Sequence, residues 1–305
     1  MDLLKDLTSF VETAKKPLVV ILGPTAAGKT AISLKIAKHI NGEIISTDSR
    51  QIYKYMDIAT DVISPQEQDN IPHHLLTFAE PDQLIDMATY KNLALKKIEE
   101  IYSRKHIPML VGGTGLYISA IIEGYNLPSV PPNPKLRLEL EQQAKNEGKE
   151  SVHDILKKLD PKSAEKIHPN NLRYTIRAIE IAKSGQKPNQ KQKSPFDLFT
   201  IGLTLPREEL YEKINNRVDQ QKNSGLLEEV QNLTNKGYDE NLPSMTSLGV
   251  KEIIPYLRGE MPLENCLETL KQNTRHYAKR QLTWLKRYDN VNWLSKEDVQ
   301  EILNK

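Results

Sequence analysis

The sequence predicts an α/β fold: a parallel sheet with helices on both faces, interrupted by a helical insertion. Three observations carry that reading. Short apolar runs alternate with segments of helical periodicity through the first third of the chain. A cluster of prolines then gives way to a long, mainly helical stretch. Beyond it a strand pattern returns, followed by two more long helical segments.

Taken in order, residues 1–16 hold Leu3, Leu7, Phe10 and Val11 at helical spacing among Asp2, Asp6 and Glu12. They predict a short amphipathic helix and lack the uninterrupted apolar core of a signal peptide. Residues 18–22 form the first strand, a Gly-rich turn follows, and 30–40 reads as helix. Residues 43–47 give a second strand. Residues 87–104 keep apolar positions at helical spacing, and 107–111 is a third strand running into Gly112-Gly113. Four prolines in 127–134 (Pro128, Pro131, Pro132, Pro134) mark a domain crossing, because proline cannot continue a helix. Residues 135–181 read as mainly helical, and 183–193, with four lysines and no acid, as an exposed loop. A strand is expected within 196–205, and long helices at 210–236 and 262–288. The expected division is therefore a core from 1–125 and 196–305 with an insertion at 126–195.

Composition narrows the function. A chain of 305 residues with 38% hydrophobic content can bury a substantial core. Lys and Arg number 42 against 40 Asp and Glu, so any nucleic-acid partner must show itself locally. Cys266 is the single cysteine, which excludes an internal disulfide and a Cys-based zinc site and suits a reducing compartment. No stretch approaches the ~20 apolar residues of a membrane span. The expectation is a cytoplasmic monomer.

Gly23-Pro24-Thr25-Ala26-Ala27-Gly28-Lys29-Thr30 matches the phosphate-loop pattern in full, between a strand and a helix as the mechanism requires. Its backbone N–H groups can turn inward around phosphate oxygens, and the helix N-terminus adds partial positive charge. Lys29 would neutralise a terminal phosphate and Thr30 would ligate Mg²⁺. The core is thus of P-loop NTPase type. An ATPase usually carries an acid after another core strand to help hold the metal. Here the 107–111 strand ends in Gly112-Gly113-Thr114-Gly115, without a carboxylate. The acid is Asp48, after the second strand, where it could also be a helix N-cap. Strand ends converge on the ligand crevice in such sheets, so Asp48 and Thr114 belong near the phosphates.

The motifs together resemble the tRNA dimethylallyltransferase family, bacterial type. The resemblance runs over nearly the whole chain: 23–30 (GPTAAGKT), 48–53 (DSRQIY), 72–75 (PHHL), 111–117 (VGGTGLY), 177–180 (RAIE), 217–219 (RVD) and 278–284 (AKRQLTW). It implies a core that binds dimethylallyl diphosphate, a helical insertion that grips the tRNA anticodon stem-loop, and Mg²⁺ dependence. The missing acid then makes sense, because prenyl transfer activates no water. By this resemblance Arg217 joins the phosphate loop in holding diphosphate, Asp48 is the base for the adenine amine, and Thr114 touches tRNA near the diphosphate. Ser49, Arg50 and Gln51 match the segment that contacts tRNA, with Gln51 suited to an adenine edge.

Residues 271–288 carry six Lys or Arg and no acid, a pattern for either a solvated basic face or phosphate-backbone contact. The resemblance adds Lys279, Arg280, Gln281 and Trp284 to the tRNA-facing segment, together with Arg137, Arg173, Arg177 and Lys251. Tyr277 and Trp284 read as core. Arg177 and Glu180 can pair at i,i+3. His73 and His74 are adjacent and have no third ligand nearby, so no metal site is expected there.

Two departures from the family pattern stand out. Val250 replaces a tyrosine, and Ala59-Thr60-Asp61-Val62 loses a lysine and gains an acid. The alternatives are a small-molecule or nucleotide kinase using Asp48 as base, an isopentenyltransferase acting on free adenine nucleotides, and, more distantly, a non-enzymatic RNA-binding module.

Overall fold

The computed structural model describes residues 3–125, 130–186 and 194–304. Parts of the expected proline crossing (127–129) and lysine-rich loop (187–193) lie outside the described residues. The chain divides into two compact units, Met1–Ile122 with Ser194–Lys305, and Glu123–Lys193.

The first unit begins with α1 (Leu3–Thr13), β1 (Pro17–Leu22), α2 (Lys29–Ile40) and β2 (Gly42–Ser46). It continues through α3 (Asp57–Thr60), β3 (His73–His74), α4 (Met87–Ser103), β4 (Ile107–Gly112) and α5 (Gly115–Ile122). The second unit holds α6 (Pro134–Glu147), α7 (Lys149–Leu159), α8 (Pro161–Ala164) and α9 (Leu172–Lys183). The first unit resumes with β5 (Asp197–Leu203), α10 (Arg207–Asn223), α11 (Leu226–Asn235), α12 (Val250–Leu257), α13 (Leu263–Leu285), β6 (Val291–Leu294) and α14 (Lys296–Asn304).

The six strands are parallel, in the order β3-β2-β4-β1-β5-β6. β1 is buried along its whole length. Its side chains alternate, with Leu18, Val20 and Leu22 joining the core against α4, α5 and α10–α13, and Val19 and Ile21 joining the one against α1, α2 and α14. Period-two alternation into two apolar layers is what a parallel sheet covered on both faces requires.

The register brings three strand ends level. Leu22 of β1 pairs with Gly112 of β4, and Val111 of β4 with Ser46 of β2. The phosphate loop, Asp48 and Thr114 all follow directly from these ends. Fully buried Tyr90 of α4 supports the β2 end, its hydroxyl donating to Ser46 O at 2.7 Å and its ring stacking on Tyr117 of α5 at 3.7 Å.

One expected element differs. The single helix at 210–236 is two, broken at Gly225, which adopts φ 103°. That left-handed conformation is cheap for glycine and ends a helix. The short strands β3 and β6 carry too few residues for periodicity to reveal.

At the opposite end of the sheet, buried Glu43 opens β2. Its carboxylate accepts from Arg104 at 3.0 and 2.6 Å and sits 2.6 Å from His74 Nε2 and 2.7 Å from His106 Nδ1. Burial pushes its pKa up, but the Arg104 and His74 hydrogen bonds outweigh burial and hold it at about 2. His74 is thus a hydrogen-bond partner of Glu43, and among the described residues no group of three His, Cys, Asp or Glu is arranged to hold a metal.

The second unit has its own core of Leu140, Val152, Leu156, Ile176 and Ile179. The same unit also buries Glu180. Arg137 binds it bidentately at 2.8 and 2.9 Å, Arg177 donates at 3.0 Å, and the Asn133 amide donates at 2.8 Å. These donors overcome burial and hold Glu180 at about 2.

Candidate active site

The phosphate loop is shaped by two left-handed residues, Ala26 at φ 62° and Gly28 at φ 88°. Gly23 has no room for a side chain, because a Cβ there would lie 2.9 Å from Leu203 O of β5. Lys29, at the first turn of α2, folds back so that its ammonium donates to Pro24 O at 2.7 Å. Burial drives its pKa down to about 8, with Arg217 adding to the fall and Asp48 and Asp61 opposing it. Lys29 therefore lies within electrostatic reach of Asp48, Asp61 and Arg217.

Arg217 projects from α10 to the loop, donating to Thr25 Oγ1 at 2.8 Å and pairing with Asp61 at 3.1 Å. The acid that departs from the family pattern thus occupies the guanidinium expected to hold diphosphate. Asp48 closes a local turn by accepting the Arg50 N–H at 2.8 Å, so it is not the cap of a following helix. Ser49 N donates to Thr114 Oγ1 at 3.1 Å, and Thr114 N donates to Thr47 O at 3.2 Å. These bonds stitch the loops after β2 and β4 together.

Thr25, Asp48, Ser49, Arg50, Arg217, Lys251, Tyr277 and Arg280 line one cavity of about 250 Å³. Ala59, Val218, Leu248 and Leu270 form its apolar wall. A cavity with one apolar side and a few convergent polar groups is the usual form of a small-molecule site. Thr30 is exposed at the start of α2. Its hydroxyl is a single oxygen donor. That fits Mg²⁺, which keeps several waters and takes oxygens from substrate phosphates.

Several residues stand elsewhere than expected. Gln281 was expected to face tRNA but is buried, because its stripe of α13 faces inward: its Oε1 accepts from Thr25 N at 2.9 Å and its Nε2 donates to Gly113 O at 3.1 Å. Gln51 is also spent internally, donating to Thr60 O and Asp61 O at 3.2 and 2.9 Å and accepting from Ser46 Oγ at 2.9 Å. It braces the departed 59–62 segment instead of presenting its amide. Tyr277 is not core; it borders the cavity and shares a hydrogen bond with Thr114, and burial pushes its hydroxyl up to about 12. Trp284 is half-buried against Gly115, with the Arg287 guanidinium 4.7 Å above its ring. Arg137 and Arg177 are committed to Glu180, whereas Arg173 is exposed.

The basic run divides in the same way. Lys271 pairs with Asp219 at 2.8 Å and Arg275 donates to Asn215 at 2.7 Å, while Lys279, Arg280, Lys286 and Arg287 are exposed. Sequence reasoning missed Leu248, Leu270 and Thr274 as lining residues. The only signal of Leu270 and Thr274 was helical spacing on α13, which reads equally well as core, and Leu248, in the turn before α12, had none.

The chain matches the IPP transferase family over residues 51–288. It is 46% identical over 288 residues to the tRNA dimethylallyltransferase of Acetivibrio thermocellus, covering 92% of each protein. Its fold is similar to the crystal structure of the full-length tRNA isopentenylpyrophosphate transferase of Bacillus halodurans, with a TM-score of 0.71, 44% identity and 95% coverage of each chain. It is similar also to a eukaryotic dimethylallyltransferase acting on tRNA, with a TM-score of 0.77 and 29% identity over 89% of this chain and 70% of that one. Among the described residues no helix is long and apolar enough to cross a membrane. Similarity of this extent, in sequence and in fold alike, has one reading: the chain belongs to the IPP transferase family.

Proposed function

We propose that this protein transfers the dimethylallyl group of dimethylallyl diphosphate to the exocyclic N6 amine of the adenosine 3′ of the tRNA anticodon, releasing diphosphate. The observation that carries the reading is that Asp48, Arg217 and Thr25 of the phosphate loop line one cavity, with Lys29 within electrostatic reach of Asp48 and Arg217. The names of the relatives at 41–47% identity favour prenyl transfer over phosphoryl transfer.

The chemistry follows from charge. The C1–O bond of the donor breaks with its electron pair leaving on diphosphate, and the allylic carbon gains cationic character. Lys29, Arg217 and the loop N–H groups face the charge that develops on the leaving oxygen, where fixed donors lower a barrier most. The adenine N6 lone pair forms the new bond to C1, and the N6 proton passes to the Asp48 carboxylate. Thr30 would hold a Mg²⁺ ion, which would supply neutralisation of leaving-group charge. Tyr277 borders the same cavity, and Thr114, hydrogen-bonded to it and to the Ser49 amide, holds the acceptor side in place from behind.

A loop adenosine leaves its stack more cheaply than a duplex base. Lys279, Arg280, Lys286 and Arg287 on the core, and Arg173 on the insertion, are the exposed cations for the tRNA backbone.

The test is single-turnover transfer from labelled dimethylallyl diphosphate with Mg²⁺ to an unmodified anticodon stem-loop, beside AMP. Label on the stem-loop alone is the expected result. Label on AMP moves the activity to free nucleotides. With Asp48→Ala the rate should fall roughly 10²–10⁴-fold while stem-loop affinity holds. Equal losses in both would remove Asp48 as the base.

A further inference from the structure

The short helix α3 is held by side chains from three other segments. Glu229 of α11 accepts the Ile58 and Ala59 amides at 2.7 and 2.8 Å, and Gln221 of α10 donates to the Ile58 and Ala59 carbonyls at 2.8 and 3.2 Å. Gln51 donates to the Thr60 and Asp61 carbonyls. Asp61 ends the helix at φ 55°, a left-handed conformation that Gly, Asn and Asp adopt most readily. These bonds fix the Asp61 backbone without using its carboxylate. That carboxylate lies 3.1 Å from Nη1 of Arg217, the same nitrogen that donates to Thr25 Oγ1 of the phosphate loop at 2.8 Å. The two partners differ in exposure: the Arg217 side chain is 22% exposed and that of Asp61 56%. The Asp61 charge also reaches Lys29, where it opposes the fall in pKa that burial causes. Both cations assigned to the diphosphate thus already feel one fixed anion.

We propose that Asp61 is a built-in competitor of diphosphate: it holds Arg217 in the free protein, must yield it to the donor, and takes it back as product diphosphate leaves. The inference deepens the prenyl-transfer reading above and rests on it. A carboxylate and a phosphate are alternative partners for one guanidinium. The donor gains the full charge of Arg217 only as the Asp61 carboxylate turns away. That turn is cheap, because a carboxylate already more than half exposed recovers its hydration and leaves no buried charge behind. The backbone of α3 need not move, since Glu229, Gln221 and Gln51 hold it independently of the ion pair. The displaced carboxylate therefore stays within reach of Arg217 throughout turnover. Asp61 weakens binding of the donor and retention of the diphosphate product alike, because both present the same anionic group to the same cation.

Isothermal titration of the full chain with inorganic diphosphate, in Mg²⁺ buffer, tests this directly. Asp61→Asn keeps the side chain's shape and suits the left-handed backbone while removing the charge. It should bind diphosphate about two- to fivefold more tightly than wild type, the range set by a partly exposed ion pair. Inhibition of prenyl transfer by added diphosphate should strengthen by the same factor. Asp61→Gly, which also accepts the left-handed backbone, should shift both in the same direction. In an Arg217→Gln background the gain from Asp61→Asn should nearly vanish, because the guanidinium under competition is gone. Unchanged binding in Asp61→Asn overturns the proposal. Weaker binding overturns it too, and makes Asp61 a residue that positions Arg217. A gain that persists undiminished beside Arg217→Gln does the same, by placing the effect outside the pair. Each of these results leaves the function standing as long as wild type labels the stem-loop. A wild type that labels no acceptor would overturn the function itself, and this proposal with it.

Discussion

Gln281 and Thr25, 256 residues apart, are joined by a hydrogen bond of 2.9 Å from the Thr25 amide to the Gln281 side-chain oxygen. The other end of the same amide donates to Gly113 O at 3.1 Å. One side chain thus fixes the spacing between the phosphate loop and the loop after β4. Gly113 must be glycine for this, since a Cβ there would lie 2.2 Å from Gln281 Nε2.

Gln281→Leu fills similar volume and leaves a backbone donor and acceptor unpaired, at a cost of about 1–3 kcal/mol. The expected result is a donor KM raised about tenfold, with stem-loop affinity unchanged and a matching loss in urea unfolding. Reduced stem-loop affinity with an unaltered donor KM would return Gln281 to a tRNA-facing role.

Lys29 gives donor binding a pH dependence. Burial, assisted by Arg217, lowers its pKa to about 8 in the free protein, so its positive charge is present below that pH and lost above it. Bound diphosphate favours the charged form and raises the pKa. Donor affinity should therefore fall as pH climbs from 7 to 9.5. Isothermal titration across that range measures it. Lys29→Met should bind more weakly at pH 7 and lose most of the slope; an equal slope in the variant would place the titrating group elsewhere.

Gly115 opens α5 directly beneath Trp284. A Cβ there would lie 1.9 Å from the indole Cδ1, and Gly115 O also accepts the Tyr288 hydroxyl at 2.9 Å. Gly115→Ala should destabilise the protein by about 1–3 kcal/mol through overpacking. It should also lower turnover, because Thr114 is the preceding residue. In a Trp284→Ala background the same substitution should cost far less. A double-mutant cycle on unfolding free energy checks this, and additive costs would show that the indole is not the obstacle.

The sheet, the insertion and the phosphate loop were legible because their signals are local. Apolar period, proline punctuation and the Gly–Lys–Thr spacing act within a few residues and survive in any context that folds. Asp48 and Thr114 were legible for a related reason: parallel strands carry their carboxyl ends to one edge, so naming the strands names the edge. The break at Gly225 was missed because a glycine within helical periodicity can be tolerated or can end the helix, and only the packed neighbours decide.

The rest was decided by the fold, because a side chain's partner depends on what tertiary packing brings beside it. Arg177 read both as a cation for tRNA and as an i,i+3 partner of Glu180, and the burial of Glu180 among Arg137, Arg177 and the Asn133 amide committed it to the pair. Gln281 and Tyr277 share one basic helix in the sequence. In the structure one locks the phosphate loop and the other borders the cavity. The sequence by itself determined which chemistry this protein carries. The tertiary structure decided what lines the cavity and which polar groups remain free to meet a substrate, because hydrogen-bonding capacity spent inside a folded protein is no longer available at its surface.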